Sequence, residues 1–246
     1  MAVPARLAAP YRVRFDESGP DGMLRPSGYL RYAQDLAWLH STGSGFGREW
    51  YGERGLTWLV RAAELDVHTP ARFGQLLEVS TEVLGFRRVW ARRQSEFRHT
   101  DAGELLATAI IDWVLLNRAG SPTRVPADIV AAFPGVAEIS LPPLRVTLPS
   151  VPANAEVSEF RARRSELDPM GHVNNAAYLD YVDELLAGTG TDDSVESALR
   201  RYQIEFVGPA GPLVTLRATG WPVDNSFYFL LDDADGRPLA RAEVSS

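Results

Sequence analysis

Asp168 and His172 stand four residues apart in the stretch S-E-L-D-P-M-G-H-V-N-N-A-A-Y-L-D-Y-V-D-E-L-L (165–186), and two asparagines follow at 174 and 175. A carboxylate and an imidazole at this separation can take a proton from water. Pro169 and Gly171 between them are turn material. Beyond the turn, Tyr178, Tyr181, Val182, Leu185 and Leu186 recur at i, i+3, i+4, i+7 and i+8, the spacing of one helical face. The polar cluster therefore sits where a helix over 176–187 begins. That end exposes unpaired backbone N–H groups with partial positive charge, able to polarise a carbonyl or hold an anion. An acid, an imidazole and aimed N–H groups suit acyl chemistry. The same residues also read as plain structure, because Asn is a favoured N-cap and Asp with Pro and Gly makes ordinary turns.

The elements that must position this cluster can be read from the rest of the chain. Y-R-V-R-F-D-E (11–17) alternates like a strand and S-G-P-D-G makes a turn. Tyr29, Tyr32, Ala33, Leu36, Ala37 and His40 then share a helical face. Strand, turn and helix recur after residue 155, where E-V-S-E-F-R-A-R leads into the motif, and Tyr29-Leu30-Arg31-Tyr32 matches Tyr178-Leu179-Asp180-Tyr181 at an offset of 149 residues. We read an internal repeat. Its first copy carries L-R-P-S-G where the second has G-H-V-N-N, so one active site and one structural partner are expected. S-G-F-G-R-E-W-Y-G-E-R-G after Gly43 lacks the strand and spacing of a nucleotide loop and reads as a surface insertion.

Four strand-like runs come next, Leu56–His68, Leu76–Leu84, Val89–His99 and Glu104–Leu116, forming an antiparallel meander. Residues 118–154 hold Pro122, Pro126, Pro134, Pro142, Pro143, Pro149 and Pro152, a density that breaks regular structure and makes a semi-rigid connector, with a short helix at Ala127–Phe133. Strands at 156–163, Arg200–Val207, Val214–Gly220, Ser226–Leu231 and Leu239–Val244 complete a second unit. The expected division is a first unit over 1–135, a linker over 136–154 and a second unit over 155–246, each unit α+β.

Composition narrows the chemistry. The chain of 246 residues is 45% hydrophobic, enough for a core. It has no Cys, and all 25 of its Lys and Arg are Arg, which excludes thiolate sites, a Cys nucleophile and any Lys Schiff base. A net charge of −7 argues against broad binding to nucleic acid or anionic membrane. The start lacks a signal-peptide run and no segment approaches the ~20 apolar residues of a membrane span, so a cytoplasmic protein is the expectation. There is no G-x-S-x-G elbow, and the four His (40, 68, 99 and 172) are scattered without metal spacing. No metal and no cofactor are expected. General-base attack by water remains, with Asp168 or His172 as base and N–H groups at the helix start on the carbonyl.

D-P-M-G-H-V-N-N-A-A-Y-L-D-Y resembles the hotdog thioesterase signature D-x-x-x-H-V-N-N-x-x-Y. T-W-L-V-R, T-E-V-L-G-F-R-R-V and I-I-D-W-V-L-L-N resemble phrases of the acyl-ACP thioesterases, so that the resemblance covers nearly the whole chain. It implies a tandem (double) hotdog, each unit a long helix wrapped by a curled antiparallel sheet, that hydrolyses fatty acyl thioesters of acyl carrier protein, as monomer or homodimer. It implies catalysis by Asp168, His172, Asn174 and Asn175, and an acyl site formed by Trp58, Phe86, Trp90, Trp113, Met170 and Tyr178. Arg87, Arg88, Arg92 and Arg93 are candidates for docking the acidic carrier. The chain departs from the plant-type pattern at Met170, where an Asn is expected, and at Pro209 and Ala210, where a strand beginning with Ile204-Glu205-Phe206 is expected to end in Glu or Cys. An acyl-CoA thioesterase, a hotdog dehydratase with its acid and His on different halves, and a non-catalytic acyl-thioester binder are the alternatives.

Overall fold

A computed structural model describes residues 5–133, 135–138, 142–188 and 200–245; Pro134 and the first four residues lie outside this set. The first unit runs β1 (Arg6–Arg12), α1 (Pro26–Gly43), α2 (Arg48–Arg54), β2 (Thr57–Val67), β3 (Leu76–Arg87), β4 (Trp90–His99), β5 (Leu105–Leu116), α3 (Ala127–Ala132) and β6 (Ala137–Glu138). The second runs β7 (Glu156–Arg161), α4 (Ala177–Gly188), β8 (Arg200–Phe206), β9 (Thr215–Val223), β10 (Ser226–Asp233) and β11 (Pro238–Ser245). The expected helical faces are buried, Tyr29, Tyr32, Leu36 and His40 in α1 and Tyr178, Tyr181, Val182 and Leu185 in α4.

The strands lie in the order β1-β3-β4-β5-β2-β8-β11-β10-β9-β7, with β6 beside β3. Each half repeats the other about the antiparallel β2–β8 pair, which runs from Ala62 opposite Glu205 to Val67 opposite Arg200. Both helices share one core with the inner face of this sheet. The fold is therefore the expected α+β double hotdog.

The repeat has a physical content that the matching letters only hint at. Tyr29 and Tyr178 each accept a backbone N–H, from Ala71 at 2.8 Å and Ala210 at 3.1 Å. Tyr32 and Tyr181 donate to Glu17 and Glu166, acids that in turn accept the backbone N–H of Arg14 and Arg163. Arg31 and Asp180, themselves equivalent at the 149-residue offset, form an ion pair of 2.9 Å between α1 and α4. In this register Gly22 and Gly171, both left-handed, coincide. The counterpart of G-H-V-N-N is thus G-M-L-R-P (22–26), two residues before the expected L-R-P-S-G.

Two further expectations are corrected. The Gly-rich stretch after Gly43 is not a surface insertion, because it forms α2 and buries Phe46 and Tyr51 beneath it. The linker expected over 136–154 includes two residues, β6, that pair with Gly85 and Phe86 of β3. Residues 142–146 are fastened to the outer face of the sheet. There Arg92 and Asp112 form a bidentate pair at 2.6 and 2.8 Å, with side chains only 7% and 2% exposed. The Pro142 carbonyl accepts from Arg92, and Leu144 N–H donates to Asp112. Glu205, buried at the seam on β8, gathers Arg61, Arg145 and Arg241 and accepts Val146 N–H at 3.4 Å.

A buried charge stripped of its partner is costly, whereas an apolar pair of similar size is tolerated. Asp112→Ala should lower stability by about 3–5 kcal/mol, while Arg92→Met with Asp112→Leu should lose much less, measured by chemical denaturation.

Candidate active site

Asp168 opens the motif turn and holds it. Its Oδ1 accepts Met170 N–H at 2.8 Å and His172 N–H at 3.3 Å, while its backbone N–H meets the His172 carbonyl at 2.8 Å. Gly171 supplies the left-handed residue this tight turn requires. Asn174 caps α4, its Oδ1 accepting Ala176 N–H at 2.9 Å. The structural reading of Asp168 and Asn174 therefore holds alongside any chemical one.

The helix-start amides turn out to be mostly occupied. Ala176, Ala177 and Tyr178 N–H groups meet Asn174 Oδ1, Asn174 O and Asn175 O. Among the described residues no acceptor meets the Asn175 N–H, the Asn175 carboxamide or the His172 imidazole, and all three residues Asp168, His172 and Asn175 line one cavity. Register with the first unit shows how the two turns differ. Gly19, Met23, Arg25 and Pro26 stand where Asp168, His172, Asn174 and Asn175 stand, and Pro26 has no N–H to offer.

The cavity, about 800 Å³, crosses from the second unit into the first. Its wall includes the expected Trp58, Phe86, Trp113, Met170 and Tyr178. The Tyr178 hydroxyl is committed to Ala210 N–H, and burial pushes its pKa up to about 12. Trp90 is not on this wall. Side chains alternate along β4, so Ala91 and Arg93 face the cavity while Trp90 and Arg92 face a separate hollow of about 410 Å³ with Arg87 and Arg88.

Alternation also divides the four arginines. Arg87 and Arg88 are exposed at the β3–β4 turn. Arg92 is buried against Asp112, and Arg93 points into the cavity, donating to His40 Nδ1 at 3.1 Å, so neither belongs to an exposed docking patch. Burial pushes the Arg93 guanidinium down to about 10. Pro209 lines the cavity and Ala210 is buried, leaving no carboxylate where Glu or Cys was expected.

Sequence reasoning missed Gln34, Tyr51, Ile129 and Phe133 on the wall. Gln34 lies one helical turn beyond Arg31 and accepts Asn174 Nδ2 at 3.4 Å; its own Nε2 is buried without a partner. The repeat was the available signal, since it lays α1 beside α4. Among the described residues no group of His, Asp and Glu has metal-holding geometry, and no helix is long and apolar enough to cross a membrane.

A helix from each unit against one curled sheet, with a polar turn at the start of one helix and an apolar cavity beside it, defines a double-hotdog protein. Residues 5–133 match the acyl-ACP thioesterase N-terminal domain and residues 150–206 the C-terminal domain, and the chain belongs to the acyl-ACP thioesterase family. A palmitoyl-acyl carrier protein thioesterase of Gossypium hirsutum is 25% identical over 189 residues, 71% of this chain and 45% of that protein. The chain thus spans about half the length of the curated relatives it matches. The 12:0-ACP thioesterase from Umbellularia californica has a similar fold, with a TM-score of 0.82 at 22% identity over 98% of this chain and 96% of that one. An acyl-ACP thioesterase from Bacteroides thetaiotaomicron VPI-5482 gives 0.81 at 17% identity over 98% and 97%.

Met170 is 46% exposed and among the described residues its sulfur meets only Thr57 Oγ1, at 3.6 Å. Met170→Asn should therefore leave stability within about 0.5 kcal/mol. Turnover should rise or hold, because the amide can orient water as a thioether cannot; thermal melts and initial rates check both.

Proposed function

We propose that the chain hydrolyses fatty acyl-ACP thioesters to free fatty acid and carrier protein. The observation that carries this is the joining of Asp168, His172 and Asn175 of one unit with an apolar, aromatic-walled cavity of the other. The acyl chain enters the first unit while the thioester carbon rests at the motif turn. Water attacks that carbon as the His172 imidazole takes its proton, and the carbonyl oxygen gains charge against the Asn175 N–H and carboxamide. Collapse breaks the C–S bond, and the imidazolium returns the proton to the carrier thiolate. Asp168 fixes the turn through Oδ1, which keeps His172 and Asn175 in place. The residue that α1 presents to Asn174 is an amide, Gln34, so acid and imidazole come from one turn, unlike the arrangement of a dehydratase.

Carrier docking rests on Arg87 and Arg88, with Asn174 and Gln34 securing the contact between helices behind the site. Both members of a hotdog pair are present in one chain, which supports a monomer as the working unit, and the cytoplasm as its compartment is part of the same reading.

His172→Gln should lower hydrolysis about 10²-fold or more with an unchanged melting temperature; near-normal turnover in purified protein would remove His172 from the mechanism. Reversing Arg87 and Arg88 to Glu should cut acyl-ACP kcat/KM on the order of tenfold or more and flatten its salt dependence, leaving a small N-acetylcysteamine thioester unaffected. Equal losses on both substrates would place the two arginines outside docking.

A further inference from the structure

Besides Asp168 the cavity wall carries Arg31, Asp35, Arg48 and Arg93. Arg31 pairs with Asp180, Asp35 accepts the Tyr11 hydroxyl and Arg48 is exposed, which leaves Arg93 as the cation set among the aromatic side chains. Arg93 lies among Phe86, Trp113, Ile129 and Phe133, and its guanidinium carbon sits 5.8 Å from the Phe133 ring centre. Its only hydrogen bond among the described residues is the one to His40 Nδ1, and no carboxylate among them pairs with it. The contrast with its neighbour is sharp, since Arg92 is held bidentate by Asp112 on the other face of the same strand. With a pKa lowered by burial to about 10, Arg93 still carries its proton near neutral pH. The cavity therefore contains a cation without a counter-ion among the described residues, in surroundings where an unpaired charge is costly.

Its position is away from the reacting group. His40 lies six residues beyond Gln34 on α1, or roughly 9 Å along the helix axis, and Gln34 is the residue that meets Asn174 of the motif turn. A chain entering from the motif turn and running along α1 would bring its far end to Arg93. A terminal methyl there would strip water from the guanidinium and offer it nothing. A terminal carboxylate would accept two of its N–H groups and neutralise it.

We propose that the cavity selects acyl chains with a carboxylate at the distal end, that is, half-thioesters of dicarboxylic acids, with Arg93 as the specificity-determining residue. This rests on the thioesterase reading above and deepens it. A plain chain is the poorer substrate because it covers the Arg93 guanidinium without pairing it.

The test compares N-acetylcysteamine half-thioesters from adipoyl to sebacoyl with the n-alkanoyl thioesters of matched length. Wild-type protein should favour the carboxylate-ended member by about tenfold or more in kcat/KM at one or more lengths. Arg93→Met should reverse that preference while keeping or raising alkanoyl turnover. Preference for the alkanoyl member at every length, or a ratio that Arg93→Met leaves unmoved, overturns the proposal. Should Arg93→Met not fold, Arg93→Gln replaces it, and must shrink the ratio. If neither series is hydrolysed, the thioesterase reading fails by itself, and the cavity is tested by titrating monomethyl suberate against methyl octanoate with tryptophan fluorescence, Trp58 and Trp113 being on the wall. Tighter binding of monomethyl suberate that is lost in the Arg93 variant upholds the proposal; equal binding of the two esters overturns it.

Discussion

The antiparallel pairing of β2 with β8 is the constraint on which the molecule depends. It closes two half-sheets into one, sets α1 beside α4, and aligns equivalent positions so that Arg31 faces Asp180. A hotdog unit alone would expose the edge of its innermost strand, a row of unpaired N–H and C=O groups. Pairing these two edges satisfies them and opens a cavity that neither unit could enclose by itself. The ionic cluster around Glu205 lies on β8 within this seam and adds interactions between units, through Arg61 of the first.

Once both halves are locked in this register, they are free to differ where their helices begin. The scaffold of each start is the same, an acid held under a tyrosine and a second tyrosine on a backbone amide. The difference lies in the turn. Pro26 starts α1 with fixed φ and no N–H, an arrangement that serves a helix end and nothing else. Asn175 at the equivalent place retains a donor, and His172 retains a titratable ring where Met23 has none. The two turns thus differ in their polar groups at four positions, with the surrounding fold held constant.

Much of this is legible in the chain. Periodicity over 176–187 and 29–40 marks both helices and their buried faces, and alternation marks the strands, because the core takes one side of each element. The order of the strands is not marked, since β3, β4 and β5 form a meander while β2, expected as its first member, lies beyond β5 and against β8. The motif points to the turn, and the 149-residue repeat points to the pairing of units. Letters alone do not show which of several adjacent side chains points inward. Arg92 and Arg93 look alike in sequence, yet the pleat sends one to a buried carboxylate and the other to the cavity. Trp90 and Trp113 are separated by the same parity. The Gly-rich stretch misleads because Gly47 and Gly55, which look like signs of a loop, delimit a short helix whose Tyr51 is buried by contacts distant in sequence.

The passage between units also bears on how such a duplicated chain can change. Residues 142–146 lie over carboxylates of both halves, Asp112 in one and Glu205 in the other, and their amides add donors to acids already held by arginines. The segment that joins the repeats is in this sense shared upholstery for both. Exchanging one half for that of a relative would carry with it only part of a covering cut for two, so that a viable chimera must take its crossover from the same parent as the acids beneath it.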